Sequence, residues 1–307
     1  MALNKVDMDL LMRIADMNGI PNGAYNIRKD GKGVERACSE SIQIVSKTDK
    51  DGIDINIADN TVGESVHIPV ILSETGLNDM VYNDFHIGEN CDVTIVAGCG
   101  IHNCGSLRSQ HDGIHTFYVG KNSKVKYIEK HYGEGPGSGE RVLNPQTIVY
   151  LEEGSTIELE TTQIRGVDST VRTTDVYVGK DAEAIVTERL LTHDHQTAES
   201  RMNVYLNGEN AGARIVSRSV AQDESSQVFY PCMTGNAKGF GHVQCDSIIM
   251  GQARVSSIPA ITANNIDAQL VHEAAIGRIA GDQLLKLMTL GLTEEEAEER
   301  ILKGFLK

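Results

Sequence analysis

The chain has 307 residues, of which 40% are hydrophobic and 23% charged, a composition typical of a folded globular protein. Its formal net charge of −15 argues against nucleic acid and anionic membranes as partners, because both require a positively charged surface. No apolar stretch reaches the roughly 18 residues that predict a membrane-spanning helix. The N-terminus lacks the basic and apolar regions of a signal peptide, so we expect a cytoplasmic protein whose six cysteines form no disulfides.

The first part of the chain, residues 1–52, is predicted to be a helical cap. Between Val6 and Asn18 the apolar residues recur at helical spacing, which predicts an amphipathic helix. From residue 53 to residue 271 the pattern changes to short β-branched runs separated by glycine, asparagine and aspartate. The absence of tryptophan and the 30 glycines favour a repetitive β-structure over an aromatic-rich core.

The β-branched runs are separated by a repeated turn in which a turn-forming residue precedes a small one. Successive turns are 26 to 32 residues apart. A repeat of this kind predicts a solenoid in which each period forms one rung, with the small residue placed where the rungs stack closely. An ordinary β-sandwich with regular hairpins is the alternative. The predicted turns are Glu64-Ser65, Asn90-Cys91, Asn122-Ser123, Gly154-Ser155, Asp181-Ala182, Asn210-Ala211, Asn236-Ala237 and Asp267-Ala268.

A glycine-rich stretch covers residues 133–139. It lacks the strand, glycines and helix of a nucleotide-binding loop, and its lysine, so we interpret it as a flexible surface loop. No G-x-x-x-x-G-K-[ST] motif occurs in the chain. If the function uses ATP, another subunit must bind it.

The last part of the chain, residues 272–307, is predicted to be helical. Apolar residues from Ile276 to Met288 form one stripe, and Gly291 is a plausible end of that helix. Thr293 and Glu296 have the spacing of a capping box that starts a second helix. These helices are either a lid over the last rung of the solenoid or a docking surface for a partner, and the two roles are compatible.

Cysteine and histidine concentrate in two places, and the first contains Cys99, His102 and Cys104. These soft and borderline ligands, with His111 and His115 shortly after them, could hold a metal ion. Their spacing matches no established zinc pattern, and buried cysteine is common in packed repeats. A separate pair, His193 and His195, could chelate a metal at the surface, although an exposed loop explains it more simply.

The second place contains Cys245, His272 and Glu273. Equivalent positions on neighbouring rungs of a parallel β-helix lie about 4.8 Å apart. The 27 residues between Cys245 and His272 are close to one rung, so their side chains could share a metal or a cluster iron. His272 and Glu273 are adjacent and would face opposite sides of a regular strand. The alternative is a core thiol, a capping histidine and a solvated glutamate.

The C-terminal third resembles the SufB/SufD family of iron–sulfur cluster assembly proteins, and weaker similarity extends back to about Val62. Several short motifs occur in the family's order at compatible spacing. The matching residues include Gln244-Cys245-Asp246-Ser247, Ala268-Gln269-Leu270, His272-Glu273-Ala274, Gly281-Asp282-Gln283-Leu284, Gly291-Leu292-Thr293-Glu294-Glu295 and Gly304-Phe305. The chain looks like the compact version of the family, which lacks the long N-terminal region.

The resemblance implies a right-handed parallel β-helix with helical ends. It also implies a homodimeric scaffold, a SufC-like ABC-type ATPase docked on the C-terminal helices, and a sulfur donor and apo-protein acceptors as further partners. In the family's SufB members, the residues that align with Cys245, His272 and Glu273 are implicated in forming a cluster at the subunit interface. These three residues are therefore the expected cluster ligands.

Two departures from the family pattern matter. The larger SufB proteins have glutamate where this chain has Val271, and their internal cysteine, proposed to receive sulfur, aligns near Leu151. A sulfur relay through the β-helix is therefore in doubt, with Cys99, Cys104 and Cys232 as alternative positions for a sulfur-accepting thiol.

The predicted function is a non-catalytic scaffold on which a transient iron–sulfur cluster is assembled and passed on. A thiolate binds iron, while histidine and glutamate are weaker ligands that make transfer easier than four thiolates would. The alternative is a β-helix enzyme that acts on saccharides, which would need a lateral groove lined by aromatic and charged residues.

Overall fold

The computed structural model describes residues 3–17, residue 21 and residues 23–307. The described residues form three α-helices: α1 (Lys5–Ala15), α2 (Gly281–Thr289) and α3 (Glu294–Phe305). The predicted N-terminal helix is confirmed as α1, although Asn18, its predicted last residue, lies outside the described residues. The predicted capping box of α3 is also confirmed, because Thr293 and Glu296 each accept a hydrogen bond from the other's backbone N–H.

Strands build two sheets that run the length of the molecule. Sheet A contains, in spatial order, β2 (Lys32–Ala37), β1 (Ala24–Lys29), β5 (Val62–Leu72), β7 (Asp92–His102), β9 (Lys124–Glu134), β12 (Thr156–Gln163), β14 (Glu183–Thr192), β16 (Ala211–Ala221), β18 (Gly239–Ile249) and β21 (Ala268–Gly277). Sheet B contains β19 (Arg254–Ser257), β17 (Ser226–Gly235), β15 (Thr197–Leu206), β13 (Ser169–Val178), β10 (Arg141–Leu143), β8 (Ser109–Val119), β6 (Asn78–Ile87), β4 (Gly52–Ile57) and β3 (Ile42–Ser46). Two further strands of sheet B are β11 (Gln146–Leu151), which pairs with β8 and β13, and β20 (Ala260–Ala263), which pairs with β17.

The chain is a parallel β-helix of about eight turns, as predicted. From β4 onwards consecutive strands alternate between the two sheets, except that β10 and β11, and likewise β19 and β20, follow one another in sheet B. Each strand from β5 onwards pairs in parallel with the strand one turn away. Inward-facing residues of both sheets fill the space between them, here called the lumen, and outward-facing ones contact solvent. Within the described residues no helix is long and apolar enough to span a membrane.

The repeated turn explains the period of the sequence. Asn90, Asn122, Asp181 and Asn210 each adopt the left-handed conformation, with φ between 52° and 57°, and the small residue that follows each one is buried. The prediction was wrong for the first turn, because Glu64 lies inside β5 and the left-handed residue is Asn60, with φ of 62°. Because Glu64 is followed by the small residue Ser65, this pair has the same residue classes as a true turn of the repeat.

Both predicted boundaries of the β-helix differ from the structure. Strand β1 pairs in parallel with β5, so the sheet begins inside the predicted helical cap. Helix α1 lies on the outer face of sheet A, where a Cβ at Gly98 would come within 2.6 Å of the Ile14 carbonyl oxygen. At the other end β21 continues to Gly277, and α2 begins only at Gly281, because backbone pairing with β18 extends the strand.

The C-terminal helices do not cover the last rung, so the predicted lid is wrong. Helix α3 lies beside the outer face of sheet A, where Arg189 donates to the Lys307 carbonyl and Arg218 to the Phe305 carbonyl, both at 3.4 Å. Residues of the last rung such as Ile266 and Ile276 are left exposed. The β-helix therefore has one open end, at which β21 is the last strand of sheet A.

Candidate functional site

The structure brings Cys245 and His272 together at the open end of the β-helix. In the pairing of β18 with β21, Val243 lies opposite His272 and Cys245 lies opposite Ala274. Side chains alternate along each strand, so the Cys245 and His272 side chains both point into the lumen and meet diagonally. The Cys245 Sγ and the His272 Nε2 are 3.5 Å apart.

The surroundings keep both side chains neutral. Cys245 is 3% exposed, and burial raises the pKa of its thiol to about 11. The Ser257 hydroxyl lies near the thiol and opposes that rise. This hydroxyl is buried, and no atom of the described residues lies within ordinary hydrogen-bond geometry of it. Partial burial, with His242 as the next cause, lowers the pKa of His272. A cation bound here would have to displace the proton of Cys245.

Glu273 is separated from the other two predicted ligands. Its side chain points outward, and its Oε2 lies 3.6 Å from the Nε2 of His242 on the neighbouring strand. This agrees with the sequence-based prediction that the two adjacent residues, His272 and Glu273, face opposite sides of a regular strand. One chain therefore presents a cysteine and a histidine on the lumen side and a glutamate on the outer side.

A row of polar side chains in the lumen leads to Cys245. Backbone pairing places Glu129, Thr161, Glu188, Ser217 and Cys245 at equivalent inward positions on five successive strands of sheet A. Their side chains are buried. Because buried polar groups need partners, this row requires complementary groups from sheet B.

The two glutamates of the row have partners on sheet B and within the row itself, whereas the Thr161 hydroxyl has no hydrogen-bond partner among the described residues. Arg172 donates to Glu129, while the Ser200 hydroxyl donates to Glu188 at 2.8 Å and the Ser217 hydroxyl donates to it at 3.2 Å. Burial opposes ionisation of Glu129, but Arg172 and its histidine neighbours outweigh burial and hold the pKa of that carboxyl well below its ordinary value. The lumen therefore contains a paired charge cluster in addition to an apolar core.

Sequence reasoning missed this polar row. The signal was present, because Val125, Tyr127, Glu129 and His131 alternate with outward residues along one strand. A glutamate and a histidine that occupy the same alternate positions as the apolar residues of a strand are predicted to point inward, as those residues do. Arg172 carries a weaker signal, since its partners lie on distant strands.

The predicted metal site at Cys99, His102 and Cys104 does not form. Cys99 points into the lumen, where it is 2% exposed and packs among apolar side chains. His102 points outward from the same strand, and its two ring nitrogens face different partners: Nε2 lies 2.9 Å from the Cys104 Sγ and Nδ1 lies 3.3 Å from the Glu134 Oε1. Strand alternation separates Cys99 from the other two residues, so one ion cannot reach all three.

The glycine-rich loop at residues 133–139 is packed instead of flexible. Gly137 N–H donates to the Asn103 carbonyl and Gly139 N–H to the Gly105 carbonyl, both at 3.0 Å. The Asn103 side chain also donates to the Gly139 carbonyl at 3.1 Å. The glycines allow this loop to stack on the turn one rung away, since a Cβ at Gly137 would contact that turn's backbone.

His193 belongs to an exposed group with Asp194 and Asp223, whose potential ligand atoms lie within 4.8 Å of one another. Asp194 and Asp223 occupy stacked left-handed turns, with φ of 51° and 58°, and Asp194 N–H donates to the Asp223 side chain at 2.9 Å. His195 instead faces Glu224. The stacking of these two turns explains why the three side chains lie close together, without a bound metal ion.

Aromatic side chains on sheet B form one stacked ladder. Neighbouring rings are nearly parallel, with centroids 4.9 to 5.4 Å apart. Each internal ring therefore covers the faces of its neighbours, and only the ring edges remain open. A saccharide-binding surface needs an open ring face on which a sugar can stack. The members are His86, Tyr118, Tyr150, Tyr177 and Tyr205.

Comparison with known proteins identifies the family. The sequence model described as "SUF system FeS cluster assembly, SufBD core domain" matches residues 74–305. The chain belongs to the SufBD family of iron–sulfur cluster assembly proteins. The match includes Cys245, His272 and Glu273, and it agrees with the resemblance seen in the sequence.

Three archaeal relatives support this membership, each named as an iron–sulfur cluster assembly SufBD family protein. The relative from Methanocaldococcus jannaschii is 30% identical over 78% of this chain and 76% of its own length. The one from Pyrococcus horikoshii is 30% identical over 82% and 77%. The one from Archaeoglobus fulgidus is 28% identical over 80% and 66%.

Proposed function

We propose that this SufBD protein is a scaffold subunit on which a transient iron–sulfur cluster is assembled and then transferred. The observation that carries the proposal is the Cys245–His272 pair, with Sγ and Nε2 3.5 Å apart at the open end of the β-helix. The cluster is the cargo of the scaffold, and each chain contributes part of its ligand set.

The geometry of the pair suits a shared metal ion. Bond lengths of about 2.3 Å to sulfur and about 2.0 Å to nitrogen place the two ligand atoms roughly 3.5 Å apart around a tetrahedral ion such as zinc. The observed separation of 3.5 Å fits that value without rearrangement. The unpartnered hydroxyl of Ser257 adds an unused polar group beside the thiol.

The electrostatics of the pair favour reversible binding. Burial keeps Cys245 protonated at neutral pH, so iron must displace a proton and proton return assists release. Iron–sulfur clusters are ordinarily held by four thiolates, whereas one chain offers a single thiol here. A weak and incomplete ligand set is what a scaffold that passes on its cluster requires.

The open end is proposed to pair with a second SufBD subunit, giving a homodimer. Strand β21 is an unpaired edge, and unpaired edges are templates for adding another strand. Exposed apolar side chains surround it, including Ile266, which is 99% exposed, together with Ile258 and Ile276. A partner on this surface would complete the ligand set and shield the site from solvent.

The C-terminal helices are proposed to dock a SufC-like ABC-type ATPase. Helix α2 buries no residue, and Leu285, Met288 and Leu290 on and beside it are exposed. An amphipathic helix with an unpaired apolar side is suited to a partner's groove. The chain carries no nucleotide-binding motif, so we assign ATP hydrolysis to that partner. Its movements would open and close the shared site.

Anaerobic co-expression with a SufC-like ATPase tests the proposal. Iron and acid-labile sulfide are measured in the purified complex for the natural protein, for Cys245→Ser and for Cys91→Ser. We expect Cys245→Ser to lose nearly all bound iron and sulfide, because it removes the only lumen thiolate within reach of His272 among the described residues.

Cys91→Ser is the matched control for this experiment. Cys91 is buried in the repeated turn at a position where the next two rungs have Ser123 and Ser155, so the substitution fits the stack. It is expected to retain full cluster content. Unchanged cluster content in Cys245→Ser would reject the assignment of the site.

A further inference from the structure

Two antiparallel hairpins form the end of the β-helix opposite Cys245. Strands β1 and β2 pair at the edge of sheet A, and strands β3 and β4 pair at the edge of sheet B. Residues of both hairpins line a crevice of about 160 Å³, here called the hairpin crevice. The charged residues that line it are Arg28, Arg36, Lys47, Lys50 and Asp51.

Two of the four cations are already neutralised by carboxylates of the protein. The Arg28 guanidinium donates to both carboxylate oxygens of Asp79, at 2.6 and 3.1 Å. Lys47 forms ion pairs with Asp54 and with Asp84, the latter at 2.7 Å. These two cations build the wall of the hairpin crevice, and their charges are matched before any ligand arrives.

Arg36 is fixed in position, but its charge is uncompensated. Its guanidinium donates to the Asn26 Oδ1 at 2.9 Å, to the Ser46 Oγ at 3.0 Å and to the Ile44 carbonyl at 3.4 Å. All three acceptors are neutral, and no carboxylate of the described residues lies at ion-pair distance. The bonds use three of the five guanidinium N–H groups, so two donors remain for a ligand.

Lys50 is the second uncompensated cation. Its Nζ lies 4.3 Å from the centroid of the Tyr82 ring, and within the described part of the chain no carboxylate pairs with it. The turn that carries Lys50 is packed against the same residue, because a Cβ at Gly52 would come within 1.8 Å of the Tyr82 carbonyl oxygen. Glycine is required there also because its φ is 144°. The turn therefore fixes the position of the lysine.

The charge balance of the hairpin crevice favours an anion by a small margin. Among the lining groups without an ion-pair partner, Arg36 and Lys50 are cations and Asp51 is the single carboxylate. The excess is one positive charge, in a chain whose formal net charge is −15. We therefore expect modest affinity for an anion that decreases with added salt.

Size and shape narrow the class of anion. Sites for drug-sized ligands and cofactors have volumes of about 300–1,000 Å³, so the hairpin crevice is too small for a nucleotide. Arg36 and Lys50 come from different hairpins. A tetrahedral oxyanion presents oxygens in several directions and can contact both cations, whereas a carboxylate presents its two oxygens at one end. Arginine donors match phosphate oxygens well.

We propose that the hairpin crevice binds a small oxyanion of the phosphate class, with Arg36 and Lys50 as its contacts. The site lies at the opposite end of the β-helix from Cys245 and does not rest on the proposed scaffold function. A bound oxyanion joins the two hairpins. Because it binds only the folded chain, it stabilises this end of the molecule.

Calorimetric titration of the full-length protein with inorganic phosphate, at constant ionic strength, tests the inference. We expect saturable binding at one site per chain. Arg36→Met should weaken binding by about tenfold or more, because it removes charge-assisted hydrogen bonds. Lys50→Met should weaken it by about threefold, as expected for one exposed charge. The matched control is Lys32→Met, which removes an exposed lysine of β2 outside the crevice and should leave the affinity unchanged.

A variant with the opposite expected sign separates binding from folding. Asp51→Asn removes the carboxylate that repels an anion, so the affinity for phosphate should rise by about threefold. Damage to the fold cannot tighten binding, whereas it could explain a loss in Arg36→Met. The inference is overturned if the natural protein shows no saturable phosphate binding. Natural affinity in both Arg36→Met and Lys50→Met, or weaker binding in Asp51→Asn, also contradicts it.

Titration with related anions identifies the source of the phosphate group. Equal affinity for inorganic phosphate and glycerol 3-phosphate would show that the crevice binds the phosphate group alone. Tighter binding of glycerol 3-phosphate would indicate a phosphorylated small molecule. Acetate is expected to bind at least about tenfold more weakly than phosphate, because its two oxygens lie at one end and it carries one charge. Equal affinity for acetate and phosphate would reject the phosphate class.

Discussion

The molecule contains two cysteine–histidine pairs of nearly the same composition and opposite surroundings. At the open end, Cys245 and His272 meet inside the lumen, with their ligand atoms 3.5 Å apart. On the flank, Cys104 and His102 meet in solvent at 2.9 Å, and a carboxylate orients the imidazole. The first pair belongs to the parallel rungs, and the second belongs to a turn between them.

The difference shows that environment decides the chemistry of a cysteine. Burial keeps Cys245 protonated until a metal displaces its proton, which suits a ligand. Exposure and a positioned base suit Cys104 to nucleophilic attack, because the thiolate is the reactive form. Among the described residues no carboxylate bonds to the His272 ring, whereas Glu134 lies against the ring of His102.

Cys245 lies in the same inward row as the charge cluster of the lumen, whereas Cys104 lies outside the β-helix. Arg172→Met leaves Glu129 and Glu188 buried without their cation. Because breaking a buried ion pair strands a charge, we expect a loss of about 3–5 kcal/mol in the free energy of unfolding, measured by urea denaturation.

The control for this substitution is Arg214→Met, which removes an exposed arginine of β16. It should change the unfolding free energy by no more than about 0.5 kcal/mol. Alkylation of Cys104 should proceed at its natural rate in folded Arg172→Met. Equal effects of the two arginine substitutions on stability would contradict the charge cluster.

The two thiols should differ sharply in their dependence on pH. With a pKa of about 11, Cys245 is almost wholly protonated at pH 7, and its alkylation rate should rise about tenfold per pH unit until that pKa. At pH 7 we expect Cys245 to react with iodoacetamide at least about 100-fold more slowly than Cys104, as followed by peptide mass spectrometry.

Denatured protein is the control for this comparison, since unfolding removes both environments and should bring the two alkylation rates together. Equal rates in the folded protein at pH 7 would show that burial does not protect Cys245. The same raised pKa predicts that stability of the metal-free protein falls as pH rises from about 9 towards 11, because the unfolded chain loses the Cys245 proton first.

The smallest expected effect distinguishes His272 from Glu273. In the isolated chain, zinc binding is measured by competition with a chromophoric chelator. His272→Gln removes the imidazole that faces Cys245 in the lumen, and it should weaken zinc binding to this pair by at least about tenfold. Glu273→Gln alters the outer side of β21, where it meets His242, and should leave zinc affinity within about twofold. Equal losses would show that Glu273 turns towards the thiol.

Much of the fold could be read from the sequence, because it depends on local chemistry. The left-handed turns at Asn90, Asn122 and Asn210 recur with a buried small residue after each, and this period identified the solenoid. The first turn was misplaced, since Glu64-Ser65 has the same residue classes as a true turn. The predicted boundaries of the β-helix were wrong because the backbone pairing that extends β21 to Gly277 is not visible in the amino-acid composition.

The site could be predicted only in part. The spacing of Cys245 and His272 by about one rung is visible in the sequence, and the structure confirms that they meet. The separation of Glu273 follows from strand alternation. The pairing of His102 with Glu134 could not be foreseen, because these residues are 32 positions apart and meet only through the register of two strands.

The sequence by itself determined the architecture, the family resemblance and the residues proposed to hold a cluster, since turn residues, strand alternation and motif spacing are properties of neighbours along the chain. Only the tertiary structure decided which cysteines are buried and which have a base. Stacking of the rungs fixes each side chain's depth and its neighbours from distant parts of the chain, and those neighbours set its proton affinity.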